Sequence, residues 1–318
     1  KEIFENKILL RLLYKYFLIG LLISFILLPF FFQRDLLSTY QRAAQTVFGG
    51  NLGSDFQQFI INFIHSIYLF IIKSIFPIIG EYSKILLQTD SWSSWINFIS
   101  SENVFIVLFL FKVLYLIFDI LCMFLIIRLL FNGEPEKRLK VFKLWVLNPF
   151  VIFTLYIFAR HDIIGIFLTL VALLLAKYKR KYWAIFVLAL AIAARFFPIM
   201  ILPILIFYLA DKKRDYIILF SAGVSGLIAV EIFSYFYFGR SLIFSLINTQ
   251  HFNFILSSKL ELIIHDKIFL FVVAYIIIIL SYLHLRKRTF DVFLNYCAIV
   301  YLMYASICYF HPQYLLWV

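Results

Sequence analysis

Of 318 residues, 64% are hydrophobic and only 14% are charged, where a soluble chain carries roughly a quarter charged residues; an ordinary soluble domain is excluded. The net charge of +12 would suggest nucleic acid in a soluble protein. Here Lys and Arg stand in short clusters between apolar runs, which signals membrane topology, and no nucleic-acid partner is expected. Runs such as "FLFVVAYIIIILSYL" (269–283) do not alternate as barrel strands do, so the expected class is an all-α polytopic membrane protein. Cys122, Cys297 and Cys308 lie inside apolar segments without paired spacing, and neither a disulfide framework nor a zinc motif follows.

In chain order, the first apolar run is Tyr14 to Phe32, preceded by Lys7, Arg11 and Lys15. No small-residue cleavage site follows it, so it reads as a retained signal-anchor. Residues 33–103 are expected as an extracytoplasmic loop with interfacial helices. Within it the apolar stretch Phe59 to Gly80, carrying His65 and Lys73, fits an interfacial or re-entrant helix. A span from about Val104 to Phe131 carries Lys112 and Asp119, seven apart on one helix face. They read as an intramembrane pair that fixes packing.

The strongest basic clusters are "KRLKVFK" (137–143), "KYKRK" (177–181), "DKKR" (211–214) and "HLRKR" (284–288). The positive-inside rule puts all four, as loops, on the cytoplasmic side with the N-terminus. Residues 144–176 must then leave and return, giving two short spans with Arg160, His161 and Asp162 at their apex. Residues 182–210 are too few for two crossings of ~30 Å of hydrocarbon. A shallow helical hairpin is expected there, with "ARFFP" (194–198) at its tip and Pro198 supplying the break. Tyr216 to Phe238 exits, with Gly223 and Gly226 as close helix contacts; residues 268–283 return, and 291–310 exit again. The chain lacks an initiator Met and stops as a new apolar run begins, so it reads as a single domain, 1–318, truncated at its C-terminus. By this count Arg34, Asp35, Asp55, Arg160, His161, Asp162, Arg195, Arg240 and His311 share one face. Charges near the membrane are expensive and usually pair or line a cavity, so this face reads as an extracytoplasmic active site.

The run from Leu147 to Leu209 resembles the core of the GT-C glycosyltransferases, above all the polyprenol-phosphate-mannose-dependent mannosyltransferases, such as the catalytic subunit for the first GPI mannose and its prokaryotic relatives. The matching pieces are Asn148-Pro149, Asp162, Arg195, Pro198 and Leu202-Pro203. The terminal "HPQYLLWV" (311–318) is similar to a Pro-Gln-Tyr motif that opens a late helix in such enzymes. "FQRDLLSTYQRAAQTVFGGN" (32–51) is similar to their first extracytoplasmic loop, where an Asp near the membrane is typically essential. Relatives often carry Lys where Arg195 stands, and Gly-His-Asn-Asp or Arg-Gly-Asn-Ala-Asp where this chain reads Ala-Arg-His-Asp. The resemblance implies an integral, multi-pass glycosyltransferase, in the plasma membrane if prokaryotic. It would move mannose or another hexose from a polyprenyl-phosphate donor to a lipid, glycan or protein acceptor.

Transfer from a lipid-phosphate sugar needs a carboxylate to take the acceptor proton and cations to hold the departing phosphate. Asp35 and Asp162 are the catalytic candidates. Asp35 is favoured as base because it directly follows the first span, where the resemblance puts the essential Asp. Asp162 adjoins Arg160 and His161, and a cation beside it favours its ionised form, making it a poorer base and a better structural partner. Arg34, Arg160, His161, Arg195, His311 and Gln313 are the candidates for donor phosphate and substrate, Arg being suited to bidentate phosphate contact. No metal ligands are assigned: the first loop has no strict Asp-x-Asp, no clear motif supports a divalent metal, and no cofactor is expected. Two other classes compete. A transporter or lipid-linked saccharide flippase should show two repeats with matching broken helices, and none is visible; a non-catalytic membrane scaffold would leave the shared polar face without a use.

Overall fold

A computed structural model describes residues 2–49, 59–87, 92–129, 135–238, 241, 256–261, 266–308 and 316–317. The protein is all-α among these residues, apart from one short antiparallel pair, β1 (Lys259–Glu261) with β2 (Lys267–Phe269). Among the described residues, five helical segments are long and apolar enough to cross a membrane: Leu9–Leu27, Val104–Leu129, Pro135–Ile157, Lys213–Phe236 and Phe290–Ile307. The protein is therefore a multi-pass membrane protein. Its chain groups into two compact units, Lys1–Phe167 and Leu168–Val318.

The first unit begins with α1 (Glu2–Leu27), which ends two residues before Pro29 rather than running on to Phe32, as a ring without an N–H requires. Next comes α2 (Arg34–Phe48), capped at its start by the Gln33 side chain and at its end by Gly49, whose φ of 77° suits the left-handed cap. Its buried residues Leu36, Leu37, Tyr40, Ala43 and Ala44 fall on one helical face. That face packs on α3 (Phe59–Ile75) and α4 (Pro77–Leu87). A short α5 (Trp92–Ile99) leads to α6 (Val104–Leu129). Tyr40 stacks on Phe111 of α6 with ring centroids 3.8 Å apart, and its hydroxyl donates to the Phe111 carbonyl at 2.5 Å. The described residues between α1 and α6 thus contribute packed helices.

Then α7 (Pro135–Val146) corrects an expectation: the basic run 137–143 is helical instead of forming a loop. Pro135 opens it, as Pro readily does at a first helical position, and Lys, Arg and Leu are good helix formers. Packing of α7 on α1 is close at Gly20, where an added Cβ would lie 2.2 Å from Val146 Cγ1. The chain continues as α8 (Pro149–Ile152), capped by Asn148, and widens into a π-helical turn, Phe153–Ile157.

The boundary between the units falls within α9 (Asp162–Lys177). In the second unit α10 (Lys181–Ala194) ends at Arg195, and a 3-10 turn, Phe197–Ile201, leads into α11 (Leu202–Leu209). This is the short hairpin expected from Pro198. Its other end is tied together by Lys181, whose ammonium meets Asp211 at 2.5 Å and Asp215 at 3.1 Å. Of the two expected close contacts, Gly226 of α12 (Lys213–Phe238) is the tighter: a Cβ there would lie 3.0 Å from that of Ala189 on α10. The unit closes with α13 (Leu270–Leu283) and α14 (Phe290–Ile307).

Candidate active site

The first unit brings two distant parts of the sequence into one polar cluster. Asp35 sits in the first turn of α2, its backbone N–H donating to the Gln33 side chain at 2.6 Å. A carboxylate there faces the positive end of the helix dipole. The opposing part is the bend between the π-turn and α9. There the Phe158 N–H returns to the Phe153 carbonyl at 2.8 Å, and the Arg160 N–H to the Thr154 carbonyl at 3.0 Å. Ala159 adopts a left-handed φ of 52°, a conformation costing roughly 1–2 kcal/mol for a residue with a Cβ.

The bend aims Arg160 inward. Its Nε donates to Asp162 Oδ2 at 3.1 Å, and its Nη1 donates to Asp35 Oδ2. One guanidinium thus bridges two carboxylates that come from opposite sides of the cluster. The two differ in exposure: the Asp162 side chain is fully buried, while that of Asp35 is 42% exposed. Asp35 therefore offers a carboxylate surface to an incoming molecule, whereas Asp162 is sealed behind Arg160. His161, also buried, has Nδ1 3.4 Å from the Thr39 hydroxyl, and that hydroxyl donates to the Asp35 carbonyl at 2.7 Å.

Three residues not singled out for the site from sequence support this cluster from behind. His65 Nδ1 lies 2.7 Å from the Ile61 carbonyl and its Nε2 3.0 Å from the Tyr115 hydroxyl. Its ring is edge-on to that of His161, with centroids 6.3 Å apart. Burial pushes the His65 imidazole down to about 4, so the ring is neutral at ordinary pH. Arg42 donates to the Thr39 hydroxyl at 3.4 Å. No spacing in the sequence marks Thr39 or Tyr115; Arg42 stands seven residues beyond Asp35 on the same face of α2, and His65 interrupts an apolar stretch. Arg34 is exposed and lies over the Trp95 ring at 4.8 Å. Within the cluster itself Arg42 and Arg160 stand with Asp35 and Asp162, two cations to two carboxylates.

Lys112 and Asp119 do not form the pair expected of them. The Lys112 ammonium donates to the Tyr156 carbonyl at 3.1 Å. Asp119 accepts from Trp145 Nε1 at 2.8 Å and from the Tyr156 hydroxyl at 2.5 Å. Seven residues along a helix are about 10 Å of rise, too far for direct contact unless both side chains lean together.

Arg195 belongs to the second unit, where it is buried at the C-cap of α10 with extended backbone. Beside it Phe197 packs against Tyr304 and Trp317, with centroids 5.5 and 5.4 Å apart. Asp55, Arg240, His311 and Gln313 lie outside the described residues. Among the described residues no three His, Cys, Asp or Glu side chains gather as a metal site would need.

The chain is thus a multi-pass helical membrane protein whose first unit gathers Asp35, Arg160 and Asp162 in one cluster. Residues 85–211 match a family model described as alpha-(1->6)-mannopyranosyltransferase, N-terminal domain. The matched stretch holds Arg160, His161, Asp162 and Arg195, but not Asp35, and supports a glycosyltransferase of the mannosyl-transferring kind. Neither a curated protein nor a solved structure matches the chain.

Proposed function

We propose that the protein transfers a hexose, mannose in the first place, from a polyprenyl-phosphate donor to the hydroxyl of an extracytoplasmic lipid, glycan or protein acceptor. The observation that carries this reading is the Asp35–Arg160–Asp162 bridge, with only Asp35 open to solvent. In the resting protein Arg160 holds Asp35. An arriving donor phosphate competes for the outward edge of the guanidinium, for which its geometry is well matched. Asp162 keeps Arg160 in place through Nε, and Asp35 is released to act as base.

The acceptor oxygen then attacks the anomeric carbon while its proton passes to Asp35. The bond from that carbon to the phosphate oxygen breaks, and polyprenyl phosphate leaves with the bonding electrons. Arg160 stabilises the charge developing on the phosphate. Arg34, His161, Arg195, His311 and Gln313 are proposed to bind donor or acceptor, Arg195 and the two C-terminal residues on sequence resemblance alone. The test is incubation of the purified protein in lipid with polyprenyl-phosphate mannose and polyprenyl-phosphate glucose, following transfer or slow hydrolysis of the donor. Release of neither sugar, with the protein folded, would sink the reading.

A further inference from the structure

Two ionisable side chains are buried in the middle of a span-length helix, Lys112 with no exposure and Asp119 with 5%. Each costs about 2.5–3.5 kcal/mol at a helix centre on insertion scales. The expense needs a reason, and both lead to the same residue. Lys112 holds the backbone carbonyl of Tyr156, and Asp119 holds its hydroxyl, so Tyr156 is fastened at both ends to one face of α6. Trp145 of α7 fastens the other Asp119 oxygen.

Tyr156 is the fourth residue of the π-turn. In a continued π-helix its carbonyl would accept from the N–H five residues on; instead it accepts from Lys112. Freed from that ladder, the chain turns at left-handed Ala159 and delivers Arg160 to Asp35 and Asp162. Strained backbone of this kind persists only where surrounding structure over-determines it. We propose that Lys112 and Asp119 are positioning residues that act through Tyr156 to hold the π-turn open and aim Arg160 at the two carboxylates. Asp119 sets the depth of the ring and Lys112 the direction of the peptide. That Arg160 serves the donor phosphate rests on the function proposed above; the clamp itself does not.

The experiment therefore has two arms. In the first, hydrogen exchange is followed on the peptide covering residues 153–162 in the lipid-embedded protein, without substrate. Lys112→Met and Tyr156→Phe should each speed exchange at the Arg160 amide by about tenfold, the worth of one buried hydrogen bond, and Lys112→Arg should restore part of the protection. In the second, transfer from polyprenyl-phosphate mannose is measured for Tyr156→Phe, Arg160→Lys and the double variant. Tyr156→Phe should raise the donor KM about tenfold, and it should cost nothing further once Arg160→Lys is present, because neighbours that act as a unit are non-additive. Unchanged exchange, or losses that simply add while the melting temperature falls, would overturn the positioning role. A wild-type protein that transfers no sugar but shows the exchange response would overturn the glycosyltransferase reading and uphold the clamp.

Discussion

Asp35 and Asp162 touch the same guanidinium and differ in what can reach them from outside. Proximity to Arg160, the argument made from sequence against Asp162, therefore separates nothing; exposure does. Asp35→Asn should lower turnover at least about a hundredfold, the usual worth of a general base, with expression and donor binding retained. Asp162→Asn takes from the buried Arg160 one of its two carboxylates, leaving Asp35, and should lower stability, with weaker donor binding. Kinetics alongside donor titration decides between them: an active Asp35→Asn beside a folded, donor-binding but inactive Asp162→Asn reverses the roles. For Arg195, Arg195→Lys should keep partial activity and Arg195→Ala lose most of it, since charge matters first and fork geometry second; full activity in the Ala variant would remove it from the site. His65 lies outside the five span-length helices, and its folded value of about 4 is below the unfolded ~6.5. Protonation therefore favours the unfolded chain, and the stability tied to the neutral ring is complete above about pH 6.5 and lost as pH falls towards 4. Melting temperatures should drop over that window in the wild type and drop less in His65→Gln. Superimposable profiles would show that the ring is not what titrates.

At the scale of elements, the close approach of α1 and α7 gives the sharpest expectation. A methyl at Gly20 meets Val146 Cγ1 at 2.2 Å, and Val is stiff at χ1. Gly20→Ala should therefore destabilise by about 1–3 kcal/mol, as overpacking does, and Gly20→Ala combined with Val146→Ala should recover most of it in thermal melts. Failure of the second change to rescue the first would mean that α1 yields elsewhere. Several elements were legible in advance because a single residue type dictates them. Pro198 ends α10 and opens a tight turn, and three ionisable residues in an apolar run mark the bend at Arg160. What could not be read depended on partners far away. The helicity of 137–143 was hidden because charge alone suggested a loop. The π-turn at Phe153–Ile157 leaves no trace in periodicity, since it follows from what Lys112 and Asp119 grip. Seven residues on one face suggested that these two meet; only the position of Tyr156 shows each holding a different end of it.

For the whole molecule, the composition was enough to establish a multi-pass helical membrane protein, and the order of apolar and basic segments located most of its helices. With single-Cys variants at exposed positions, Arg34→Cys and Glu102→Cys should label with an impermeant thiol reagent from outside, and Lys140→Cys, Lys179→Cys and Lys213→Cys only after the membrane is opened. Labelling of positions 34 and 140 from the same side would end the proposed topology and the extracytoplasmic site with it. The partners of the central ion pair are 125 residues apart, and this separation has a consequence in time. At about 5–20 residues per second, Asp35 leaves the ribosome on the order of ten seconds before Arg160 exists. Throughout that interval the nascent chain carries Asp35 without its Arg160 partner. The transferase reading then implies that a partly made chain is inert towards donor, because the cation that would hold the phosphate is among the last parts of the first unit to be synthesised.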